Sequence, residues 1–390
     1  MRVVQVSPYD LSRHGGVQQH IRSLAAELRR RGHEVLLVGP GAAALGGGQD
    51  LRIGRMKLVS LAGTSFELCL ASKAELQAFA ARLAEWKPDV IHYHALWVPF
   101  LPWQIFRRSK IAAVATFHDT PPPGPVGAVL RTAFKIMSRF LLRRLEGAIA
   151  VSPTPLAHLW PDRHGTRPVV LPPATDLSDF FALKKTSVTE RQSVLFVGRL
   201  EPRKGIEVLL DAWNMIASGH ISLPEGLEMP RLVIAGSGER EALVAEASLG
   251  LGNDRLHHVP APGREQLLRL LAEASLAVSP ALYGESFGIV LVEALASGTP
   301  IIAAANAGYA HVLTGRGRDL LVTPGDPAAL AKKILDLLAS RNERQALAQW
   351  GREHARQFDV SVLAAEFEAV YRSAIATHSR SKSDGVGSQL

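Results

Sequence analysis

The chain has 390 residues and a formal net charge of +8; 47% of its residues are hydrophobic, 21% charged and 6% aromatic. That length implies about two or three domains, and the composition is that of a globular protein able to bury large cores. The single cysteine, Cys69, excludes an internal disulfide and a thiolate metal cluster and fits a reducing, cytoplasmic setting.

In chain order, Val3-Val4-Gln5-Val6 reads as a first strand, too short an apolar run for a secretory signal, so the mature protein is expected to start here. A helix over Val17 to Arg31, a strand Glu34 to Val38, a helix near Ala74 to Trp86 and a strand Asp89 to His94 follow. Next come a strand Ala112 to Phe117, a long helix to Arg144 and a strand Gly147 to Ser152. Continuous apolar strands separated by helices predict a parallel sheet covered on both faces.

The less regular stretch Leu171 to Arg191 marks a domain boundary, after which the alternation restarts at Ser193 to Gly198. It continues through Arg231 to Gly236, Leu276 to Ser279, Pro300 to Ala303 and Asp319 to Val322, with a helix over Pro327 to Ser340. The predicted fold is α/β, with two doubly wound Rossmann-like domains facing a deep cleft, the default ligand site. The uncharged stretch Ala294 to Gly315 is broken by Gly298, Pro300, Asn306 and Gly308, which argues against a membrane span. The Ser- and Gly-rich residues His378 to Leu390 predict a disordered tail.

The most informative segment is Gly284 to Glu293. Ser286 and Gly288 suit a loop or helix cap before a helix-compatible run Ile289 to Ala296, so the N–H groups of Gly288, Ile289 and Val290 suit an anion. Glu285 then precedes that site and Glu293 follows about two turns along, each suited to sugar or ribose hydroxyls. A capped helix with an ordinary surface glutamate reads equally well. Gly15-Gly16 after the first strand fits close approach to a phosphate or a plain tight turn, and is not the G-x-G-x-x-G of dinucleotide enzymes. In Gly198-Arg199-Leu200-Glu201-Pro202-Arg203-Lys204-Gly205, Arg199 and Lys204 form either a diphosphate clamp or a solvated charged loop.

His118 ends a strand and faces the same cleft, although a lone histidine is usually structural. His92 and His94 share a strand face, but no third ligand or Asp-x-Asp supports a metal, so they read as buried supporting residues. Arg131, Lys135, Arg139 and Arg143 form a basic stripe at four-residue spacing, interleaved with Phe134, Ile136, Met137 and Phe140. It suits an anionic lipid or acceptor phosphate, or is the solvated side of a packed helix. Trp97, Phe100, Trp103 and Phe106 lie just upstream and favour the membrane reading. Paired zinc ligands and RRM-like aromatic strands are missing, which argues against nucleic acid.

Taken together, Pro8-Tyr9-Asp10 with Gly15-Gly16-Val17-Gln18, Ala115-Thr116-Phe117-His118, Gly198-Arg199 with Lys204-Gly205, and Glu285 spaced from Glu293 resemble the GT-B glycosyltransferases of family 4. Within it, the chain is most similar to phosphatidylinositol mannosyltransferase-type members. The resemblance implies a retaining, metal-independent hexosyltransferase without a cofactor, moving mannose from GDP-mannose, or another sugar from a UDP-sugar, to a lipid-linked or glycan acceptor. A non-catalytic sugar-nucleotide-binding protein is the other class to weigh.

It further implies an acceptor domain over 1–175, a donor domain over 190–357 and a terminal helix over 358–377 crossing back to the first domain, with a peripheral place on the inner membrane face left open. By the same resemblance, Glu285 holds donor-sugar hydroxyls, Glu293 the ribose, Arg199 and Lys204 the diphosphate; Gly16 contacts phosphate through its backbone and His118 lies beside the transferred sugar. The chain departs from the pattern at Pro172-Pro173-Ala174-Thr175-Asp176 and at Pro260-Ala261-Pro262, which affects the interdomain linker and the nucleobase contact.

Overall fold

Runs of Val, Ile and Leu free of helix-favouring polar spacing form the strands of two parallel sheets in a computed structural model of the chain. It describes residues 1–13, 15–41, 50–61, 64–96, 100–161, 163–185, 191–252 and 254–387. Trp97 of the upstream aromatic group therefore lies outside the described residues. Two units are defined: Met1–Asp176 with the chain from Val360 onward, and Leu177–Asp359.

The first unit contains β1 (Arg2–Val6), α1 (Gly16–Arg30), β2 (Glu34–Gly39), β3 (Asp50–Arg52), β4 (Arg55–Leu61), β5 (Thr64–Leu70), α2 (Lys73–Trp86) and β6 (Val90–His94). It continues with α3 (Leu101–Phe106), β7 (Ala112–Phe117), α4 (Gly124–Leu142), β8 (Gly147–Ala150), α5 (Pro153–Leu156) and β9 (Val169–Val170). Its seven-stranded sheet has the order β3-β2-β1-β6-β7-β8-β9, so the chain reverses direction of travel between β1 and β6. Side chains alternate across the sheet. Val4, Val6, Ile91, Tyr93, Ala113 and Ala115 face α2, α3 and α4 through Leu76, Ile105 and Leu141. Val3, Val90, Ala112 and Val114 face the other way and pack with Ile21, Leu24 and Leu28 of α1.

In the second unit are α6 (Ser178–Ala182), β10 (Ser193–Val197), α7 (Ile206–Ala217), β11 (Arg231–Ala235), α8 (Glu241–Leu251), β12 (Leu256–Val259) and α9 (Arg264–Glu273). After these come β13 (Leu276–Ser279), α10 (Ile289–Ala296), β14 (Ile301–Ala304), α11 (Ala307–Val312), β15 (Leu321–Val322), α12 (Pro327–Ala339) and α13 (Arg341–Ala355). The six strands run β12-β11-β10-β13-β14-β15, and the reversal falls between β10 and β13. In such sheets the loops that leave the two strands at the reversal diverge and open a crevice for ligand.

Two elements depart from expectation. The strand expected over Asp319 to Val322 is shorter, because Gly315–Leu320 forms a 3₁₀ turn and β15 begins at Leu321. The last helix, α14 (Val360–Gly387), packs Phe367 and Tyr371 against the α1 face of the first unit and continues through residues expected to be disordered. His378 Nδ1 meets Glu146 Oε1 at 2.6 Å, and Ser379, Ser381 and Ser383 return hydroxyl bonds to carbonyls four residues back, so serine does not end this helix.

Candidate active site

In the second unit, the loops after β10 and β13 meet around Glu285. Lys204 Nζ and Arg203 Nη1 both lie 2.7 Å from Glu285 Oε1. Arg203 Nε reaches Glu201 Oε2 at 2.8 Å, and Arg199 Nη1 reaches Glu201 Oε1 at 2.6 Å. Arg199 and Lys204, expected as one clamp, thus sit at opposite ends of a chain of ion pairs linked by Glu201, Arg203 and Glu285. Burial alone would raise the Glu285 carboxyl, but Lys204 and Arg203 override it and hold it below the ordinary carboxylate range.

Two glycines permit this arrangement. Gly205 follows Lys204 with φ 72°, and a Cβ there would lie 2.1 Å from the Pro280 carbonyl oxygen. Gly288 caps α10 with φ 99°, and a Cβ would lie 2.5 Å from the Tyr309 ring. The fold therefore needs left-handed, side-chain-free residues where these loops turn. Tyr309 is fully buried, its hydroxyl 2.8 Å from Ser279 Oγ, and Asn306 caps α11 by accepting from the Tyr309 N–H. Burial first, and then the neighbouring Glu285 charge, push the Tyr309 phenol well above its usual range.

Helix α10 begins at Ile289 as expected, so the N–H groups of Ile289 and Val290 occupy its first turn, where position denies them an intrahelical acceptor. Glu293 lies one turn into α10 rather than two, and is buried. The two loops and α10 together supply two carboxylates, Glu285 and Glu293, the cations Arg203 and Lys204 and a helix N-terminus, a set that can bind hydroxyls and a diphosphate side by side.

In the first unit, Gly16 opens α1 directly after the extended Gly15. His118 follows β7 and joins a buried cluster. His94 Nδ1 is 3.1 Å from His118 Nε2, and His94 Nε2 is 3.2 Å from Gln5 Oε1. His92 contacts Tyr371 Oη at 2.8 Å and Thr116 Oγ1 at 2.7 Å. His20 of α1 stands edge-on to His94 and His118, with ring centroids 5.2 and 5.4 Å away. This corrects the expectation that His94 has no third histidine near it: one nitrogen each from His20, His94 and His118 lie within 4.8 Å of one another. The helix supplies what strand alternation cannot reveal. A zinc ion would require three lone pairs converging at about 2.0–2.1 Å. Here His94 Nδ1 and His118 Nε2 bond to each other, so the set as arranged is a hydrogen-bonded cluster.

Burial pushes His20 down to about 4 and holds His92, His94 and His118 far below the ordinary imidazole range. It lifts the Asp119 carboxyl, beside His118, to about 6.

Helix α4 carries the basic stripe. Lys135, Arg139 and Arg143 are exposed, and Arg131 is half-buried with a bond to the Pro122 carbonyl. Beside them runs an exposed apolar row, Val126, Val129, Ile136 and Phe140, with Val129 and Phe140 70% and 60% exposed. Among the described residues no helix is long and apolar enough to cross a membrane.

Two Rossmann-like units with parallel sheets are the architecture of the GT-B fold. Sucrose-phosphate synthase from Thermosynechococcus elongatus has the same fold, with TM-score 0.74 and 24% identity over 96% of this chain and 99% of its own. HepE of Anabaena matches with TM-score 0.70 and 18% identity over 95% and 99%. The chain belongs to the group 1, family 4 glycosyltransferases: the "Glycosyltransferase Family 4" model covers residues 14–179 and "Glycosyl transferases group 1" covers 179–354. A phosphatidyl-myo-inositol mannosyltransferase of Mycobacterium leprae is 31% identical over 393 residues, 97% of this chain and 99% of the relative. A D-inositol 3-phosphate glycosyltransferase of Salinispora tropica is 29% identical over 82% of this chain and 70% of its own.

Proposed function

We propose that this glycosyltransferase transfers a hexose, mannose from GDP-mannose in the first instance, to a lipid-linked acceptor, with retention of anomeric configuration and without a metal ion. The observation that carries the reading is Glu285 held between Lys204 and Arg203 beyond the carboxyl ends of the two central strands of the second sheet, in a chain 31% identical to a phosphatidyl-myo-inositol mannosyltransferase along nearly its whole length. In this reading Glu285 accepts sugar hydroxyl hydrogens and Glu293 those of the ribose. Lys204, Arg199 and the N–H groups of Gly288, Ile289 and Val290 take the diphosphate, whose growing charge they neutralise as the glycosidic bond breaks. Gly16 adds a backbone contact to phosphate, and His118 serves the reacting sugar. The acceptor belongs to residues 1–175, with 358–377 as its terminal helix, and the donor to 190–357.

A lipid-linked acceptor is favoured by α4, whose exposed Val126, Val129, Ile136 and Phe140 border exposed Lys135 and Arg139. An apolar row beside cations suits the interface of an anionic membrane, and so a peripheral position on the inner face. A soluble phosphorylated inositol, the acceptor in the Salinispora relative's name, would need no such row, nor would a UDP-sugar enzyme building a soluble glycan. Incubation with labelled GDP-mannose and with UDP-sugars, each with phosphatidylinositol vesicles or free inositol phosphate, separates these readings. Lipid-extractable label from GDP-mannose supports the first; transfer only to the free phosphate, or only from a UDP-sugar, replaces it.

A further inference from the structure

Three adjacent strands, β1, β6 and β7, place their polar residues in one line. Gln5 pairs in register with His92, and His94 with Thr116, so Gln5, His94 and His118 are successive diagonal neighbours on one face of the sheet. Such neighbours lie within reach of long side chains. The contacts run Gln5 Oε1 to His94 Nε2 at 3.2 Å, then His94 Nδ1 to His118 Nε2 at 3.1 Å. His20 and Phe367 close over this line, 5.4 Å apart at their centroids, and both are fully buried.

Gln5 is placed with its carboxamide oxygen toward His94 Nε2, and because that oxygen can only accept, this placement assigns the His94 proton to Nε2. Its Nδ1 is then a lone pair, and the N–H pointing at it must belong to His118 Nε2. Both rings stay neutral because burial disfavours their charged forms. We propose that Gln5 and His94 are positioning residues that fix His118 in its Nε2–H tautomer, leaving Nδ1 to accept a hydrogen from a substrate hydroxyl. His118 then orients a sugar hydroxyl rather than donating to a phosphate. The inference rests on the assignment of His118 to the transfer reaction.

The test joins a spectroscopic and a kinetic readout on the full chain. Long-range proton–nitrogen correlation spectra of histidine-labelled protein, assigned with His118→Asn, should show Nε2–H and a bare Nδ1 on His118 at pH 7. His94→Phe keeps an aromatic ring and removes the acceptor; it should lower kcat about tenfold or more with little change in donor KM. His94→Asn, whose oxygen can replace Nδ1, should restore most of that loss and keep the tautomer. An Nδ1–H on His118 in the native protein overturns the proposal, as does a His94→Phe enzyme with native kcat. The tautomer is read without turnover, so failure of the proposed transferase activity stays distinct from failure of the relay.

Discussion

Lys204 Nζ lies 2.7 Å from Glu285 Oε1, an ammonium and a carboxylate brought together from loops that follow different strands of one sheet. Arg203 meets the same oxygen, so Glu285 carries two cationic partners with its side chain only 9% exposed. Breaking a buried pair by removing one partner leaves the other charge without compensation and costs about 3–5 kcal/mol. Glu285→Ala should therefore lower the melting temperature as well as cut transfer by orders of magnitude. Arg199 is 57% exposed, so Arg199→Ala should leave the melting temperature nearly unchanged while transfer falls. Calorimetry beside kinetics checks both; native turnover in Glu285→Ala, Arg199→Ala and Lys204→Ala would remove these residues from the reaction.

The two units should respond to acid in different windows. His20, His92, His94 and His118 have folded pKa values below the unfolded value near 6.5, so the unfolded chain binds more protons. Stability is then fully present above about 6.5 and declines as pH falls below it, for His20 down to about 4. Asp119, lifted to about 6, binds its proton in the fold and offsets about one histidine between pH 6 and 4. Glu285 acts lower: its depressed carboxyl stabilises the fold above the unfolded value of 4.5, and that contribution goes as pH falls through the folded pKa. Hydrogen exchange at stepwise lower pH should release β1, β6 and β7 before β10 and β13. His20→Asn should flatten the dependence between pH 6.5 and 4.

Tyr309 is expected to brace the Glu285 loop without taking part in the reaction. Tyr309→Phe deletes the hydroxyl bonded at 2.8 Å to buried Ser279 and leaves that serine without this partner. A cost of about 1–2 kcal/mol is expected, with kcat within a few-fold of native. Thermal denaturation and steady-state rates measure the two effects separately.

The α4 surface predicts salt-sensitive vesicle binding. Lys135→Glu with Arg139→Glu should weaken sedimentation with anionic vesicles by about tenfold or more at low salt, each basic side chain near such a surface being worth about 1 kcal/mol. Phe140→Ser should weaken binding with little change in its salt dependence, because it removes apolar area alone. Equal sedimentation of native protein with neutral and anionic vesicles would leave the basic stripe as a solvated face.

Much of the fold is written in continuous apolar runs. Val3 to Val6, Ala112 to Phe117, Ser193 to Val197 and Leu276 to Ser279 are strands because they are short, mostly apolar, uncharged runs without helical spacing. The hairpin β4–β5 and the strand Leu256–Val259 escape that reading: Arg55-Met56-Lys57 and His257-His258 interrupt the apolar run, and neighbouring strands decide their state. Of the site, Glu285, Lys204 and Gly288 were legible from spacing, since a left-handed glycine before an apolar helix announces itself. Arg203 and Glu201 were not, because alternating charges in a loop look solvated until a fold pairs them. His20 left a signal: it lies four residues before Leu24 and eight before Leu28, on the buried stripe of α1. Which strand residues that stripe would meet depends on the sheet order, which no local pattern encodes.

Retaining, metal-independent transfer of mannose is tested by NMR of the product formed from GDP-mannose and phosphatidylinositol vesicles in the presence of EDTA. A lipid-linked mannoside with the anomeric configuration of the donor is expected, formed at the same rate without EDTA. An inverted product, or transfer abolished by EDTA and restored by a divalent cation, would contradict it.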